Sequence, residues 1–385
     1  MSFHLQNNNQ LIRNQQNYYL ERKLLTIHTE DRDSNKWQNE NEFEITLPEP
    51  LTNVQSMRLI EGTFPSNYYT FSEKNKNTKF YFDIDVSANS PYEASGNYSI
   101  QEGFYTGEQM AMELETVLQR DICDNNLDPI KQTRIRVFYD KVGQRFYFGT
   151  YFPKDVSKNV ILDFKREQEY NTGCNNIDIL NRNTKWGLGY YLGFDKKVYD
   201  SSGDNTEWIF NNDSNIENVT FFNYLTPNDL WYNDFSMGFP ERHLLTGTRA
   251  VLKAPYTAKL NGEQCFYVEI DKYNNCDELK PYSQLTNSLY NNDFNGNVNA
   301  AFAKIPIMST PNSEFRISEN DILQNFSQFN PPLERISKLK FKFRYHDGRL
   351  VDFKKHEFNF TMEFNILRPE IQQTYNVRTP AIVDL

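Results

Sequence analysis

Apolar and polar residues alternate with a period of two along several short segments of this chain. The clearest case is residues 338–345, where Leu339, Phe341, Phe343 and Tyr345 alternate with lysines and an arginine. Such alternation places one face of a β-strand on a core and the other in water. Further short strands are predicted at 42–47, 78–86, 134–139, 145–152, 160–164, 248–252, 265–270, 301–308 and 358–366. The chain is therefore expected to be built from many short strands.

Turn and breaker residues indicate where these strands end. Pro48 and Pro50 are expected to end the first strand, because proline has no N–H to donate to a neighbouring strand. Residues 140–144 are expected to form the turn of a hairpin. The apolar segment Gly187–Phe194 is interrupted by glycines, which predicts a tight segment packed against other backbone.

One helix is indicated by its start signal and by its apolar face. Thr106 and Gln109, three residues apart, form the capping-box pattern of a helix N-terminus. The apolar residues that follow share one helical face, and they are Met110, Leu114, Val117 and Leu118. We expect an amphipathic helix over about residues 107–121.

Many strands, one helix and long polar loops predict an all-β sandwich or barrel. Two Asn- and Asp-rich stretches, 200–233 and 274–299, are expected to be surface loops, and the first is also the expected boundary between two halves. The predicted organisation is an extended N-terminal arm at 1–22, a first β portion at 23–233, a second β portion at 234–367 and a C-terminal tail at 368–385. The second portion belongs either to the same sandwich or to a second one.

Composition and charge narrow the class of protein. With 30 Phe and 24 Tyr, the chain has enough large apolar rings to form a core, although only 38% of its 385 residues are hydrophobic. The 41 basic and 51 acidic residues give a net charge of −10. This acidic balance argues against wrapping nucleic acid or binding an anionic membrane, because both need clustered Lys and Arg.

Targeting and redox features predict synthesis in the cytoplasm. The first residues carry no apolar signal-peptide core, and no stretch approaches the roughly 18 apolar residues of a membrane span. The four cysteines are scattered and form no CxxC pair: Cys123, Cys174, Cys265 and Cys276. A reducing compartment is therefore favoured over a disulfide framework.

Metal-binding patterns are weak. His346 and His356 flank one predicted turn, and without a third ligand a solvated hairpin is favoured over a zinc site. Residues 291–296 resemble the first half of a calcium loop, but Phe302 occupies the position where a bidentate glutamate is needed. A polar turn is favoured there, and a surface loop is favoured for the acidic segment 31–35.

Catalytic patterns are weaker still. The glycines of 187–193 do not have the spacing of a dinucleotide-binding loop, and the chain contains neither GxxxxGK[ST] nor GxSxG. No nucleophile is accompanied by a base and an orienting partner. We expect a non-enzyme that has no catalytic, metal-binding or cofactor-binding residue and needs no cofactor.

One basic stripe is a candidate interaction site. It consists of Lys338, Lys340, Lys342 and Arg344 on one face of a predicted strand. Such a stripe suits an acidic protein or a phosphate, whereas the plainer interpretation is a solvated strand face whose long stems cover apolar surface. Acidic residues are predicted to face outward on other strands, and they are Glu42, Glu44, Asp83 and Asp85. Opposite stripes on different faces would let copies pack in a regular array.

Four segments resemble a known family. They are Ile45–Glu61, Gly103–Gly107 leading into the helix, Leu188–Phe194 and Phe343–Phe353. Together they resemble the minor capsid proteins of large icosahedral double-stranded DNA viruses, of the chlorella virus and giant amoebal virus type. The resemblance spans roughly residues 25–367, and no catalytic residue is carried over from it.

The resemblance implies a jelly-roll-type β-sandwich in an inner capsid layer, gripping the undersides of major capsid capsomers. The implied partners are the major capsid protein, other minor capsid proteins and copies of this chain, without direct nucleic-acid contact or membrane insertion. The implied location is the virion. The alternative is a receptor- or glycan-binding β-sandwich on a particle surface, which requires exposed aromatic rings. The candidate rings are Tyr68, Tyr69, Tyr190, Tyr191 and Trp231.

Overall fold

The structure is a computed structural model that describes most of the chain. The described residues are 18–66, 69–86, 94–124, 134–153, 158–166, 184–201, 208–211, 247–279, 298–309, 313–318 and 325–369. Their helices are α1 (Gly107–Asp124) and α2 (Leu188–Leu192), and one 3-10 turn covers Thr29–Asp31.

The described strands all belong to antiparallel sheets. In chain order they are β1 (Tyr18–His28), β2 (Glu42–Pro65), β3 (Lys79–Val86), β4 (Ala94–Ser99), β5 (Arg134–Asp140), β6 (Arg145–Pro153), β7 (Lys158–Asp163), β8 (Val198–Asp200), β9 (Trp208–Asn211), β10 (Gly247–Lys253), β11 (Cys265–Ile270), β12 (Cys276–Leu279), β13 (Val298–Ala301), β14 (Ala303–Pro306), β15 (Glu314–Ile317), β16 (Ser327–Arg344) and β17 (Asn359–Pro369).

The chain divides into two compact units, and the division does not follow the predicted boundary near residue 233. The first unit combines residues 1–67, 264–280 and 296–385, and the second combines 68–263 and 281–295. The linear division into 23–233 and 234–367 is therefore wrong. The reason is that strands near the two ends of the chain pair with each other, and the second unit is built mainly from the chain between them.

The first unit contains one curled seven-stranded sheet and the two-stranded ribbon of β12 and β13. The strand order of the sheet is β1-β17-β2-β16-β11-β14, and β15 pairs with the end of β2. The rings of Phe43 and Phe64, at opposite ends of β2, each lie 6.3 Å from the ring of Phe343. Fully extended, the 21 intervening steps would separate them by about 70 Å. The sheet therefore bends around its own core, with Phe343 at the centre.

Prolines do not end β2, contrary to the prediction. The strand continues to Pro65, and Pro48 and Pro50 fall between the pairs Thr46↔Lys338 and Leu51↔Ile336, where the register shifts. A proline needs no ladder partner inside such an irregularity, so the strand accommodates both and continues.

Part of the N-terminal arm predicted at 1–22 is a strand, and residues 1–17 lie outside the described residues. β1 begins at Tyr18 and pairs with β17 along its whole length, from Tyr18↔Pro369 to His28↔Asn359. Leu25 and Ile27 pack against the core of the first unit, which gives this strand an apolar side to bury. Residues 18–22 thus belong to the sheet, and residues 370–385 of the predicted tail lie outside the described residues.

The second unit is a β-sandwich with one long helix. Its two four-stranded sheets have the orders β4-β3-β7-β8 and β5-β6-β10-β9, and they share one hydrophobic core. The predicted alternation in β3 is confirmed, because Phe80 and Phe82 are both buried. The predicted hairpin is also confirmed, with Asp140 opposite Arg145. The all-β sandwich class is therefore confirmed, in two units.

The predicted helix start and helix face are both confirmed in α1. The backbone N–H of Thr106 donates to Gln109 Oε1 at 3.0 Å, and the backbone N–H of Gln109 donates to Thr106 Oγ1 at 3.3 Å. This reciprocal pair is the capping box. The four residues of the predicted apolar face are all buried: Met110, Leu114, Val117 and Leu118.

The glycine-punctuated segment packs against backbone, as predicted, and it also contains α2. Gly193 ends α2 at φ 85°, in the left-handed region that favours glycine. Its carbonyl accepts the N–H of Tyr256 at 3.0 Å. A Cβ at this position would lie 2.9 Å from the carbonyl carbon of Tyr256. The backbone at residue 193 can therefore approach the backbone at Tyr256 this closely only because residue 193 is a glycine.

Two further predictions concern loops. The loop predicted at 274–299 contains β12 and the start of β13, which pair with each other. Most of the Asn- and Asp-rich stretch 200–233 lies outside the described residues, as do residues 280–297. The strand predicted at 301–308 is confirmed in part, because β13 and β14 are separated at the buried Phe302.

Candidate interaction surface

The basic stripe lies on β16, whose alternation is confirmed. Leu339, Phe341 and Phe343 are fully buried in the core of the first unit. Because successive side chains of a strand point to opposite faces, the cations between them lie on the other face of the sheet.

Each lysine of the stripe is paired with a glutamate of a neighbouring strand. The Nζ–Oε distances are 3.0 Å for Lys338–Glu44, 2.6 Å for Lys340–Glu42 and 3.6 Å for Lys342–Glu269. The hydrogen bond from Lys338 is the main reason that the pKa of Glu44 lies below its ordinary value. The stripe is therefore largely neutralised within the molecule.

The register of β2 and β16 explains this pairing. Lys340 lies directly opposite Glu44, and Lys342 lies opposite Glu42, while the ion pairs run diagonally to the next glutamate. The acidic and basic stripes are thus neighbours on one sheet face. The expectation that Glu42 and Glu44 lie on a different face from the cations is wrong, because β2 and β16 pair along this stretch.

Arg344 is buried and does not belong to an exposed stripe. Its side chain is 2% exposed, and Nη1 lies 2.5 Å from Glu278 Oε2 while Nε donates to Glu269. Burial alone would lower the pKa of Arg344, but the two carboxylates reverse this and raise it above its ordinary value. The predicted interaction role of Arg344 is therefore corrected to a structural one. The interaction role of the three lysines stays a prediction.

Two further side chains, from Tyr267 and His346, complete a part-buried group. We call it the Arg344 cluster, and its members are Tyr267, Glu269, Glu278, Arg344 and His346. His346 Nδ1 contacts the second oxygen of Glu278. The guanidinium carbon of Arg344 lies 5.1 Å from the centroid of the Tyr267 ring, so the two groups stack. Burial raises the pKa of the Tyr267 hydroxyl well above the usual range. The cluster ties β11, β12 and the end of β16 together.

A second polar network joins β1, β17 and β2. Glu363, whose side chain is 4% exposed, accepts Arg22 Nε at 2.6 Å and Arg58 Nη2 at 3.1 Å. Burial alone would raise the pKa of Glu363, but the hydrogen bonds from Arg58 and Arg22 lower it below its ordinary value. One carboxylate on β17 therefore binds cations from both neighbouring strands.

The outer edge of β1 is a second candidate interaction surface. Among the described strands β1 pairs with β17 alone, at one end of the sheet order. Four large apolar side chains of β1 are 52–55% exposed: Tyr18, Tyr19, Leu20 and Leu24. We call this surface the β1 edge.

The structure gives no support to the metal-binding patterns of the sequence where it describes their residues. Within the described part of the chain, no three His, Cys, Asp or Glu side chains are grouped so as to hold a metal ion. Residues 291–296 lie outside the described residues. Asp33 Oδ1 accepts the N–H of Asn35 at 3.1 Å, as in a surface turn. Neither Cys265 nor Cys276 forms a disulfide within the described part of the chain. No helix of the described residues is long and apolar enough to cross a membrane.

The aromatic rings proposed for glycan binding do not form one exposed face. Tyr191 is buried, and Tyr190 is half-buried with its ring centroid 5.5 Å from that of Tyr191. Tyr69 is exposed, whereas Tyr68 and Trp231 lie outside the described residues. These positions give the alternative function no specific support.

Comparisons with known proteins give a match to a family profile and matches to solved structures. A family profile described as a family of unknown function, DUF5901, matches residues 16–137. No curated protein matches the chain. Among solved structures, the crystal structure of the mavirus penton protein is similar over 90% of this chain and 99% of that chain, with 8% sequence identity and a TM-score of 0.39. A TM-score of this size does not establish a common fold.

Sequence reasoning missed the partners of the stripe and the β1 edge. Glu269 and Glu278 carry no local signal of their role, because their contacts depend on pairing across the sheet. The β1 edge did carry a signal, since Leu25 and Ile27 alternate with Thr26 and His28 in the pattern of a strand.

Proposed function

We propose that this protein is a structural component of a virus particle, a minor capsid protein that joins major capsid capsomers from the inner side of the shell. The main support for the proposal is that charged side chains in the first unit form ion pairs with one another. The charged side chains gathered on β16 bind neighbouring strands of the same chain, through Lys340–Glu42 and Arg344–Glu278 among others. Because these charges are bound within the chain, they suit a structural role better than the binding of a charged ligand.

The four segments that resemble minor capsid proteins support the same role. Ile45–Glu61 lies within the long bent strand β2, Leu188–Phe194 contains the buried helix α2, and Phe343–Phe353 begins at the centre of the first core. All three segments lie in the framework of the protein. This fits a resemblance that concerns the fold and includes no catalytic residue.

The proposed partners are the major capsid protein, other minor capsid proteins and further copies of this chain, within the virion. We propose that it acts without catalysis or a cofactor, and without direct contact to nucleic acid or insertion into a membrane. The net charge of −10 supports the proposed absence of direct nucleic-acid contact, because an acidic protein repels a polyanion. The proposed absence of catalysis is supported by the Arg344 cluster, whose charged side chains are bound to one another.

Lysine labelling of purified particles tests the inner position. A bulky amine-reactive biotin reagent is applied to intact particles and to particles opened by freezing and thawing, and labelled peptides are identified by mass spectrometry. Exposed lysines such as Lys141 and Lys338 are expected to be labelled only in opened particles. The major capsid protein, labelled in both samples, serves as the internal control.

Two results contradict the proposal. Absence of the protein from purified particles contradicts a structural role in the virion altogether. Equal labelling of these lysines in intact particles contradicts the inner position, and it is the result that a receptor- or glycan-binding protein on the outer surface predicts.

A further inference from the structure

The β12–β13 ribbon is a separate element of the first unit. Within the described part of the chain, β12 and β13 pair with each other and with no further strand. A two-stranded ribbon is at best marginally stable in water, and it needs a third strand or packing against another element. The position of the ribbon therefore depends on its contacts with the main sheet.

Burial of apolar side chains contributes little to these contacts. Each strand of the ribbon has four residues, and in each strand one residue alone is buried: Glu278 in β12 and Ala301 in β13. Leu279 and Val298 lie opposite each other, and they are 69% and 44% exposed. If the hydrophobic effect held the ribbon in place, these large apolar side chains would be buried against the sheet.

The backbone fixes one end of the ribbon. The N–H of Asn275 donates to the carbonyl of Ala301 at 3.1 Å, and the N–H of Phe302 donates to the carbonyl of Val268 on β11 at 2.7 Å. Phe302 is buried in the core of the first unit. The ribbon is thus anchored where Cys276 pairs with Ala301, and the rest of it needs a further contact.

Glu278 makes that further contact. Its side chain is 5% exposed, and Oε2 lies 2.5 Å from Nη1 of Arg344. Its other oxygen, Oε1, contacts Nδ1 of His346. Arg344 is the last residue of β16, and His346 follows two residues later. Both carboxylate oxygens therefore bind one short stretch at the end of the central strand.

Breaking this contact leaves no buried charge without a partner. When the ribbon moves away, the carboxylate of Glu278 becomes hydrated, and Arg344 keeps the contact of its Nε with Glu269. The hydration that Glu278 regains offsets part of the attraction that is lost. The ribbon can therefore leave the sheet at a lower free-energy cost than unfolding of the main sheet, whose core contains Phe341 and Phe343.

We propose that the β12–β13 ribbon opens as a unit, separately from the rest of the first unit, with Asn275 and Phe302 as its hinge and Glu278 as the contact that closes it. The proposal goes beyond the capsid role and does not depend on it. A ribbon that does not open leaves the labelling experiment on particles unaffected, so the two proposals are tested separately.

Hydrogen exchange of the full chain at neutral pH, measured by mass spectrometry with peptide fragmentation, tests this proposal. In the wild-type chain, the hydrogen-bonded amides of residues 276–279 and 298–301 are expected to exchange together. Their protection factors are expected to be at least about tenfold lower than those of the hydrogen-bonded amides of residues 339–343 in β16, because local opening exposes the ribbon alone.

The variant Glu278→Gln weakens the closing contact with little change in side-chain shape. The protection of the ribbon amides is expected to fall about tenfold, because a hydrogen bond to a charged acceptor is replaced by one to a neutral acceptor. The protection of residues 339–343 is expected to stay unchanged. His346→Gln removes only the contact with a part-exposed side chain, so a smaller fall is expected at the ribbon.

Asp277→Asn is the matched control. It removes one carboxylate from the same strand, at a neighbouring position whose side chain is exposed. The variant is expected to leave the protection of the ribbon amides unchanged. Far-UV circular dichroism shows whether each variant is folded, and the wild-type measurement tests separate opening without any variant.

Three outcomes overturn the proposal. Ribbon amides as strongly protected as residues 339–343 in the wild-type chain mean that the ribbon opens only when the whole unit unfolds. An equal fall in protection across the ribbon, β11 and β16 in E278Q means that Glu278 stabilises the unit as a whole. Equal effects of E278Q and D277N mean that the lost charge, and not the buried contact, is responsible.

Discussion

The guanidinium of Arg344 lies 2.5 Å from the carboxylate of Glu278, and both side chains are at most 5% exposed. One partner ends the long strand β16, and the other lies on the short strand β12. The contact therefore holds the β12–β13 ribbon against the main sheet of the first unit. Arg344 belongs by sequence to a surface stripe and by contact to a buried ion pair.

Substituting Arg344 is expected to destabilise the protein strongly. Arg344→Met leaves Glu278 buried without its cation, and breaking a buried pair in this way costs about 3–5 kcal/mol. Lys342→Met is the matched control on the same strand, because its pair with Glu269 is part-exposed and worth about 1 kcal/mol or less. Urea unfolding at neutral pH measures both. Equal losses in the two variants would contradict the structural role of Arg344.

Glu363 is expected to make stability depend on pH in acid. Its pKa is lower in the folded protein than in the unfolded chain, because Arg58 and Arg22 bind the carboxylate. Its contribution is therefore complete above an unfolded pKa of about 4.3 and is lost as pH falls through the folded pKa.

The variant Glu363→Gln isolates this contribution. It is expected to unfold about 1–3 kcal/mol more easily than wild type at pH 7, and the difference should shrink below about pH 4. Glu314→Gln, an exposed carboxylate on β15, controls for the loss of a surface charge. A difference in unfolding free energy between E363Q and wild type that stays constant from pH 7 to pH 3 would contradict this role of Glu363.

Two glycines with nearly the same φ angle allow conformational strain to be distinguished from close packing. Gly193 and Gly348 have φ values of 85° and 86°, so alanine at either position costs about 1–2 kcal/mol in conformational strain. Only Gly193 has other backbone, that of Tyr256, within contact distance of a new Cβ. Gly193→Ala is therefore expected to lower stability by at least about 1 kcal/mol more than Gly348→Ala. Thermal unfolding measures the gap, and equal losses would refute the close approach.

The ladder between β2 and β16 is expected to be weak pair by pair. A double-mutant cycle on Lys340→Met and Glu42→Gln should give a coupling energy of about 0.2–1 kcal/mol, since both side chains are part-exposed. The coupling should fall further at about 1 M salt, where charges are screened within a few ångströms. A coupling of several kcal/mol that is insensitive to salt would show that the pair is desolvated.

Local patterns predicted the local structure well. The reciprocal hydrogen bonds of Thr106 and Gln109 follow from their spacing, and the burial of Phe341 and Phe343 follows from alternation. Both depend on neighbours within a few residues. The extent of β2 was not predicted, because the irregularity that accommodates Pro48 and Pro50 is formed jointly with β16, nearly 300 residues away in sequence.

The charged residues show the same limit. Alternation correctly places Lys340 on the outer face of β16, but it contains no information on which strand lies alongside. The register with β2 makes Glu42 its partner, and the β12–β13 ribbon buries Arg344. The division into units was missed for the same reason, since β1 and β17 pair although they lie more than 300 residues apart in the sequence.

Cross-linking mass spectrometry on intact, purified virus particles tests the central claim most directly. A lysine-reactive cross-linker is expected to join this chain to the major capsid protein at reproducible positions, with the lysines of β16 among the candidates. Such links would be lost when the shell is dissociated before cross-linking. A protein that is missing from the particles, or that is present without any link to a capsid component, would contradict the account.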